Sequence, residues 1–204
     1  MSSYKCRLTA KFVASIGCVG FMLAVAVQAD ARPYQLSAKA KNRVEFHSKA
    51  TLESFSGKAK SISAEFEIDP AKITSARGKV IVDLRTLDTG IGLRNKHMCE
   101  NHLQTDSFPN AVFILDSLVK YSVPFSGADA VTVHGVMTIH GVSRAVSARG
   151  VVSSLFDTDK RLRIESEFPL KITDFGIPRP EFLFLKLAEE VKIVVDLTLE
   201  PVAE

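Results

Sequence analysis

Apolar and polar residues alternate with a period of two along most of this chain, and no other feature constrains the fold as much. Residues 62–68 and 78–84 each place apolar side chains on one face and polar ones on the other. This alternation predicts β-strands with one buried and one solvated face. About eight strands are predicted in total, the others being residues 43–52, 111–121, 130–140, 142–153, 161–172 and 190–200.

The connections between these strands are short and carry turn-forming residues. Asp69-Pro70, His140-Gly141 and Asp157-Thr158-Asp159 are examples. Short connections favour antiparallel neighbours. Because the chain has too little predicted helix to cover an open sheet, the sheet closes into a barrel or packs as a sandwich. The interior of an eight-stranded barrel is filled by side chains or holds one small ligand.

The N-terminus has the pattern of a secretory signal peptide. Lys5, Arg7 and Lys11 precede an apolar block at residues 12–27, and small-residue cleavage sites follow between Ala29 and Ala31. The block is short for a bilayer-spanning helix, which needs about 20 apolar residues. We therefore predict a signal peptide at residues 1–31 and one domain at residues 32–204, in a periplasmic or secreted protein.

Removal of this leader changes both the charge and the cysteine content. The chain has 26 Lys and Arg against 23 Asp and Glu, and loss of the three leading basic residues leaves 23 against 23. Nucleic-acid binding therefore has no support from charge. Cys6 and Cys18 leave with the leader, so Cys99 has no partner for an intrachain disulfide and the fold depends on its core.

Two longer segments interrupt the strand pattern. Residues 88–110 contain a stretch without Gly or Pro that suits a short helix, and we predict that this segment is a lid on the barrel. Residues 173–189 contain the apolar run EFLFLKLAEE, at residues 181–190. That run either plugs one end of the barrel or forms an apolar entrance to it.

The first interruption also holds His97, Cys99 and His102, which raises the question of a metal or haem site. Covalent haem attachment needs C-x-x-C-H, and the second cysteine is absent. Zinc is a stronger alternative, but on a helix only residues three or four apart share a face, so His97 and Cys99 diverge. The spacing favours a structural role or a place at the barrel rim.

Three segments resemble the YceI-like family. LDTGIGLRNKHMCENHLQTDSFPNAVF, at residues 87–113, is similar to the family's stretch with a T-G, an Arg-Asp pair and an aromatic-Pro before the next strand. VMTIHGVSRAV, at residues 136–146, resembles its Leu-Thr-Ile-His-Gly-Val-Thr-Lys turn. ITDFGIP, at residues 172–178, resembles its Arg-x-Asp-Phe-Gly-Ile motif.

The resemblance implies an eight-stranded antiparallel lipocalin-like barrel with a short helix and loop lid, in the periplasm or outside the cell. It implies binding of polyisoprenoid or other long-chain amphiphiles, no established catalysis, no cofactor, and a possible membrane-protein partner of cytochrome b561 type. Two positions depart from the family pattern. Asn95 stands where the Arg-Asp pair has its acid, and Thr173 stands where an Arg often precedes Asp174.

The alternation and the resemblance together predict the ligand-binding residues. Arg94, Asn95 and His97 are predicted to contact a polar head group at the lid. The guanidinium of Arg94 either binds the head group through two forked hydrogen bonds or pairs with a nearby acid and so fixes the loop. The predicted lumen residues are Phe46, Phe66, Ile68, Val80, Val82, Leu84, Phe113, Leu115, Val133, Met137, Ile164, Phe168 and Phe175.

Three functions are compatible with the sequence. The first is an exported carrier or sequestering protein for isoprenoid-type lipids, such as quinones or polyprenyl carriers. The second is a metal-dependent or thiol-dependent periplasmic enzyme that uses His97, Cys99 and His102. The third is a module that engages a membrane protein through its outer surface. A continuous apolar lumen would favour the first, and a converging set of His and Cys side chains would favour the second.

Overall fold

The computed structural model describes residues 31–49, 54–121, 128–155, 160–179, 181–182, 185–186 and 188–203. The predicted signal peptide lies outside these residues, apart from Ala31. The strands are β1 (Arg32–Leu36), β2 (Arg43–Lys49), β3 (Ser54–Lys58), β4 (Ile62–Ile68), β5 (Arg77–Asp83), β6 (Asn110–Tyr121), β7 (Ala128–Ile139), β8 (Val142–Ser154), β9 (Leu162–Lys171), β10 (Glu181–Phe182), β11 (Leu185–Lys186) and β12 (Glu190–Pro201).

The sheet closes on itself through β1, which pairs with both β4 and β12. The ring runs β1, β4, β5, β6, β7, β8, β9, β12 and back to β1, and its pairings are antiparallel. Tyr34 in β1 is in register with Phe66 in β4 and with Pro201 in β12. The prediction of an eight-stranded antiparallel barrel is therefore confirmed.

The N-terminal strands differ in detail from the prediction. β12 pairs with β2 along Lys192–Asp196 and with β1 along Leu199–Pro201, so β1 and β2 lie one after the other on the same side of β12. β3 pairs with β2, and its last residue, Lys58, also forms an isolated antiparallel bridge with Asp88. The sequence pattern missed β1, which is short and contains Pro33, and β3, whose sequence SFSGK has no clear alternation.

The interior is packed most tightly where β1, β4 and β12 meet. Leu199, Leu197 and Tyr34 are 0%, 1% and 2% exposed. Full burial of an apolar side chain of this size contributes about 1.5–3 kcal/mol. A second buried cluster, around Phe168 and Phe175, lies near the ends of β8 and β9. These clusters leave the middle of the barrel open, as described below.

The β7–β8 hairpin has the predicted two-residue turn. His140 and Gly141 have φ angles of 52° and 73°, and Ile139 pairs with Val142 across the turn. Positive φ at both central residues is typical of a type I′ turn, which matches the twist of the strands it joins. The imidazole of His140 packs against the ring of Phe108, with 4.7 Å between the ring centroids.

The two predicted interruptions of the strand pattern are both present. The first contains α1 (Gly92–His97), which continues into a π-helical turn, Met98–Leu103. The second contains a 3-10 turn, Ile172–Phe175, followed by the small hairpin β10–β11. The side chains of the apolar run at residues 181–187 lie outside the described part of the structure. Within the described residues, no helix has the length and hydropathy needed to cross a membrane.

Candidate functional site: an apolar lumen beneath a pinned lid

The barrel encloses a cavity of about 230 Å³, which we call the lumen. Apolar side chains from both halves of the ring line its wall. This arrangement follows from the period of two, because the inward positions of each strand are apolar and the outward ones are polar. The predicted residues on the wall are Phe46, Phe66, Val80, Val82, Leu84, Phe113, Leu115, Val133, Met137, Ile164 and Phe168.

Two predicted lumen residues are buried elsewhere. Ile68 is 2% exposed, but as the last residue of β4 it pairs with Arg32 and packs into the cluster around Tyr34 and Leu199. Phe175 is 3% exposed and does not line the lumen; it belongs to the buried cluster that contains Ile177 and Phe168 of the wall. Alternation predicts which face of the sheet a residue occupies, but not its position along the barrel axis.

The wall also includes apolar residues that the sequence analysis did not select. They lie on β2, β6, β7, β8, β9 and β12 and in the segment that enters the lid. The pattern that identified their neighbours on the same inward faces could have identified most of them. They are Val44, Leu87, Ala111, Leu118, Ile139, Val146, Ala148, Val152, Leu170, Ile193, Val195 and Leu197.

Of the described residues that line the lumen, only Glu45 and Ser166 are polar, and both have partners outside it. Ser166 Oγ donates to the backbone carbonyl of Arg149 at 2.7 Å. The carboxylate of Glu45 is within ion-pair distance of Lys58 Nζ, at 3.2 Å, and of His47 Nε2, at 3.4 Å. The lumen therefore offers few polar groups to a ligand, and favours one that places hydrocarbon inside.

Three phenylalanines of the wall lie over glycines on the neighbouring strand. The ring of Phe46 covers Gly57, that of Phe66 covers Gly78, and that of Phe113 covers Gly135; a Cβ at any of these glycines would overlap the ring. The glycines leave room for the rings to lie against the strand backbone.

The lid, which we define as residues 88–103, is pinned to its own first turn by Asn95. Asn95 Oδ1 accepts hydrogen bonds from Thr89 N at 2.9 Å and Thr89 Oγ1 at 2.6 Å, and Asn95 Nδ2 donates to Asp88 Oδ1 at 2.9 Å. An aspartate at position 95 could not make the last of these bonds. The departure of Asn95 from the family pattern therefore has a structural use.

Arg94 braces the same turn. Its Nε donates to Thr89 Oγ1 and its Nη2 donates to Thr89 O, each at 2.9 Å. Its guanidinium lies 4.4 Å from the centroid of the Phe55 ring, which contacts Phe46 of the wall edge to face. These contacts connect the lid to the wall. The predicted head-group role of Arg94 stays a prediction, as do those of Asn95 and of His97, which is exposed.

An open polar groove of about 430 Å³ runs along the outside of the lid. Lys60 Nζ is 2.8 Å from Asp88 Oδ2 in this groove. The hydrogen bond from Lys60, with those from Gly90 N and Asn95, holds the pKa of Asp88 well below its usual range. Leu87 lines both the groove and the lumen, so this side chain separates them.

His97, Cys99 and His102 do not converge. Cys99 Sγ lies 4.0 Å from the carbonyl oxygen of Leu84, and burial raises the pKa of the thiol, whereas nucleophilic cysteines have a lowered pKa. Burial lowers the pKa of His102, whose imidazole donates to the Pro178 carbonyl. Within the described residues, no group of three His, Cys, Asp or Glu side chains is placed to hold a metal ion.

Sequence comparison connects this barrel to known proteins. The family model for the YceI-like domain matches residues 34–199. The chain belongs to the YceI-like family. Two curated relatives, the UPF0312 proteins VVA0736 and VV2_0231 of Vibrio vulnificus strains YJ016 and CMCP6, are each 26% identical over 166 residues, which is 78% of this chain and 85% of theirs.

Solved structures show the same fold as this YceI-like chain. Burkholderia cenocepacia BcnA has a TM-score of 0.66 at 21% identity, covering 80% of this chain and 98% of its own. A polyisoprenoid binding domain from Saccharophagus degradans, implicated in plant cell wall breakdown, has a TM-score of 0.63 at 18% identity, covering 83% and 98%. The Campylobacter jejuni YCEI protein has a TM-score of 0.58 at 16% identity, covering 72% and 85%.

Proposed function

We propose that this YceI-like protein binds a long-chain isoprenoid or other amphiphilic lipid in its lumen, and that it acts as an exported carrier or sequestering protein. The observation that carries the proposal is the apolar wall of the lumen, whose described residues are apolar except for Glu45 and Ser166. Transfer of hydrocarbon from water into such a cavity contributes about 0.8 kcal/mol per methylene. Affinity would therefore come mainly from the chain of the lipid.

The volume of the lumen suggests how much of that chain fits. A dry protein cavity of about 150 Å³ holds benzene. By the same scale, the 230 Å³ lumen holds about ten carbons, or about two isoprene units. A longer chain would extend from the barrel or require movement of the wall, and its head group would remain near the surface.

Family membership and the fold of the Saccharophagus degradans domain support this class of ligand. Export rests on the N-terminal sequence pattern, so a periplasmic or secreted location is part of the proposal. A membrane partner of cytochrome b561 type stays a prediction from the resemblance. No observation favours the alternative of a metal- or thiol-dependent enzyme, because burial raises the pKa of the Cys99 thiol and the described residues include no group of three His, Cys, Asp or Glu side chains placed to hold a metal ion.

Matched substitutions on β7 test the location of the ligand. Val133 lines the lumen, whereas Val136, three residues along the same strand, is 37% exposed on the outer face. We expect Val133→Phe to weaken binding of geraniol and farnesol, measured by calorimetric titration, by about tenfold or more because it fills the lumen. Val136→Phe should bind as the wild type does. Equal effects of the two substitutions would place the ligand outside the lumen.

A further inference from the structure

The wall of the barrel has a gap in its hydrogen bonding between β8 and β9. These strands pair only from Gly150–Ser166 to Ser154–Leu162. In contrast, β8 pairs with β7 along almost its whole length, and β9 pairs with β12 along all of its length. Residues 142–149 of β8 and 167–171 of β9 therefore lie on either side of an unpaired gap, which we call the seam.

The seam lies against the lumen. Val146 and Ala148 on the β8 side line the cavity wall, and so do Phe168 and Leu170 on the β9 side. A hydrocarbon chain that passed between these side chains would break no hydrogen bond of the sheet ladder. Passage between strands that are paired along their length, such as β6 and β7 or β9 and β12, would break such bonds. The seam is therefore a sideways route into the barrel that leaves the sheet ladder intact.

One short segment covers the seam. Residues 172–178, which we call the strap, leave the end of β9 and reach the start of β8, where a Cβ built on Gly176 would be 3.8 Å from Val142 Cγ2. Phe175 and Ile177 of the strap are 3% and 5% exposed. They belong to the buried cluster that Val142, Val146 and Ala148 pack against. The strap thus closes the seam with apolar side chains.

The strap is held by few hydrogen bonds to the barrel. Its first residue is anchored by a backbone bond from Ile172 N to Glu189 O at 2.9 Å, and its other backbone bonds are local, from Gly176 N to Thr173 O at 3.1 Å and from Ile177 N to Ile172 O at 3.3 Å. Among the described residues, no backbone hydrogen bond joins the strap to β8. The imidazole of His102 in the lid donates to the carbonyl of Pro178 at the end of the strap. Movement of residues 173–178 would therefore cost mainly side-chain packing and the bond from His102, while the bond between Ile172 and Glu189 keeps the start of the strap in place.

We propose that lipid enters and leaves the lumen sideways through the seam, and that the strap is the gate, with Phe175 as the side chain that must move. This proposal rests on the function proposed above. Phe175 is suited to the role because it closes the seam without lining the lumen. Its loss should change the rates of exchange and leave the contacts of a bound chain intact.

Exchange kinetics test the gate. The probe is dansyl-labelled geraniol, followed by stopped-flow fluorescence in wild type, Phe175→Ala and Ile68→Ala. Ile68 is a matched control because it is also fully buried and also lies outside the lumen wall, in the cluster around Tyr34. We expect Phe175→Ala to raise the association and dissociation rates together by about tenfold and to leave Kd within about twofold. Ile68→Ala should leave both rates near wild type.

A second measurement needs no ligand. In a Cys99→Ser background, Ala148→Cys places a thiol on the lumen wall beside the seam, and its rate of modification by a maleimide reports opening. Adding Phe175→Ala should speed this modification by about tenfold, and Ile68→Ala should not. Phe175→Leu replaces Phe175→Ala if the latter does not fold.

The outcomes separate the two proposals. If wild type does not bind the probe but Phe175→Ala still speeds thiol modification, the lipid-binding function fails and the gate stands. If Ile68→Ala and Phe175→Ala speed exchange and modification equally, the effect is general loosening and the gate is contradicted. A rise in Kd without a change in association rate would likewise contradict it, because Phe175 would then act as a binding contact.

Discussion

The ring of Phe66 lies directly over Gly78, its cross-strand partner on β5, and no other residue type has room at position 78. A Cβ there would overlap both the ring and the carbonyl oxygen of Glu65. The same relationship holds between Phe46 and Gly57. Aromatic rings that cover cross-strand glycines recur in β-proteins and stabilise the glycine-containing strand. Here both rings also form part of the lumen wall.

Substitution of the two glycines should have different effects. At Gly57 the three atoms nearest to the new methyl group belong to the ring of Phe46, whereas at Gly78 the nearest atoms include the backbone carbonyl oxygen of Glu65. We therefore expect Gly78→Ala to lower the free energy of unfolding by about 1–3 kcal/mol, and Gly57→Ala to lower it by less. Denaturant titrations of both variants measure the difference. Equal losses of unfolding free energy in the two variants would show that the Glu65 carbonyl moves away from the new methyl group at little cost.

Asn95→Asp restores the acid of the family's Arg-Asp pair, and should loosen the lid here. The substitution replaces the hydrogen bond from Asn95 Nδ2 to Asp88 Oδ1 with two neighbouring carboxylates. We expect amide hydrogen exchange in α1 to be about fivefold faster or more at neutral pH. The pKa of Asp88, measured by NMR, should rise toward its usual value. An unchanged exchange rate would mean that Arg94 alone holds the turn.

Arg94→Ala distinguishes a head-group contact from a brace. The side chain is committed to Thr89 and to the face of Phe55. We therefore expect similar losses of affinity for geranyl phosphate and for the matching hydrocarbon, with lower lid protection in hydrogen exchange. A loss of about 1.5–3 kcal/mol confined to the phosphate would instead establish the head-group contact, since hydrogen bonds to charged groups are worth that much.

Lid stability should depend on pH through His102. Burial is the main cause that lowers its pKa in the folded protein, and the nearby His97 lowers it further, against the raising effect of the bond to Pro178. As the pH falls, the unfolded chain takes up this proton first, at about pH 6.5. The contribution of neutral His102 to the free energy of unfolding is therefore fully present above that pH. This contribution is lost as the pH falls through the lowered pKa of His102.

The measurement is the free energy of unfolding between about pH 7 and pH 5, for wild type and His102→Gln. The variant should show a flatter profile in this range. Asp88 does not interfere, because its pKa lies below the usual carboxylate range and its effect appears in stronger acid. Identical profiles for the two proteins would contradict a role for His102.

Much of this structure was predictable from the period of two. That pattern placed Val80, Val82, Phe113 and Met137 on one face of consecutive strands, and all four line the lumen. The eight-stranded barrel itself is confirmed, although the choice of a barrel over a sandwich came from the family resemblance. The period of two and the family resemblance together were enough to predict the barrel and its inward-facing residues, because each strand has only one face toward the interior.

Other features depend on long-range pairing, which local patterns do not record. Closure by β1 requires Tyr34 to meet both Phe66 and Pro201, far apart in the sequence. Leu87 lies in a loop without alternation, yet it separates the lumen from the groove. The seam exists because the β8–β9 ladder stops at Gly150 and Ser166. The alternation of the two strands does not mark that point, although Pro169 in β9 has no backbone N–H to donate to a ladder.

The central claim is that the lumen holds a lipid chain, and native mass spectrometry of the protein purified from its own host tests it most directly. We predict a one-to-one complex whose ligand is released by organic solvent and is an isoprenoid or similar amphiphile. We also predict that Val133→Phe is purified largely without ligand, whereas Val136→Phe is purified with it. A protein that carries no lipid from its host and takes up no prenyl alcohol when one is supplied would contradict it.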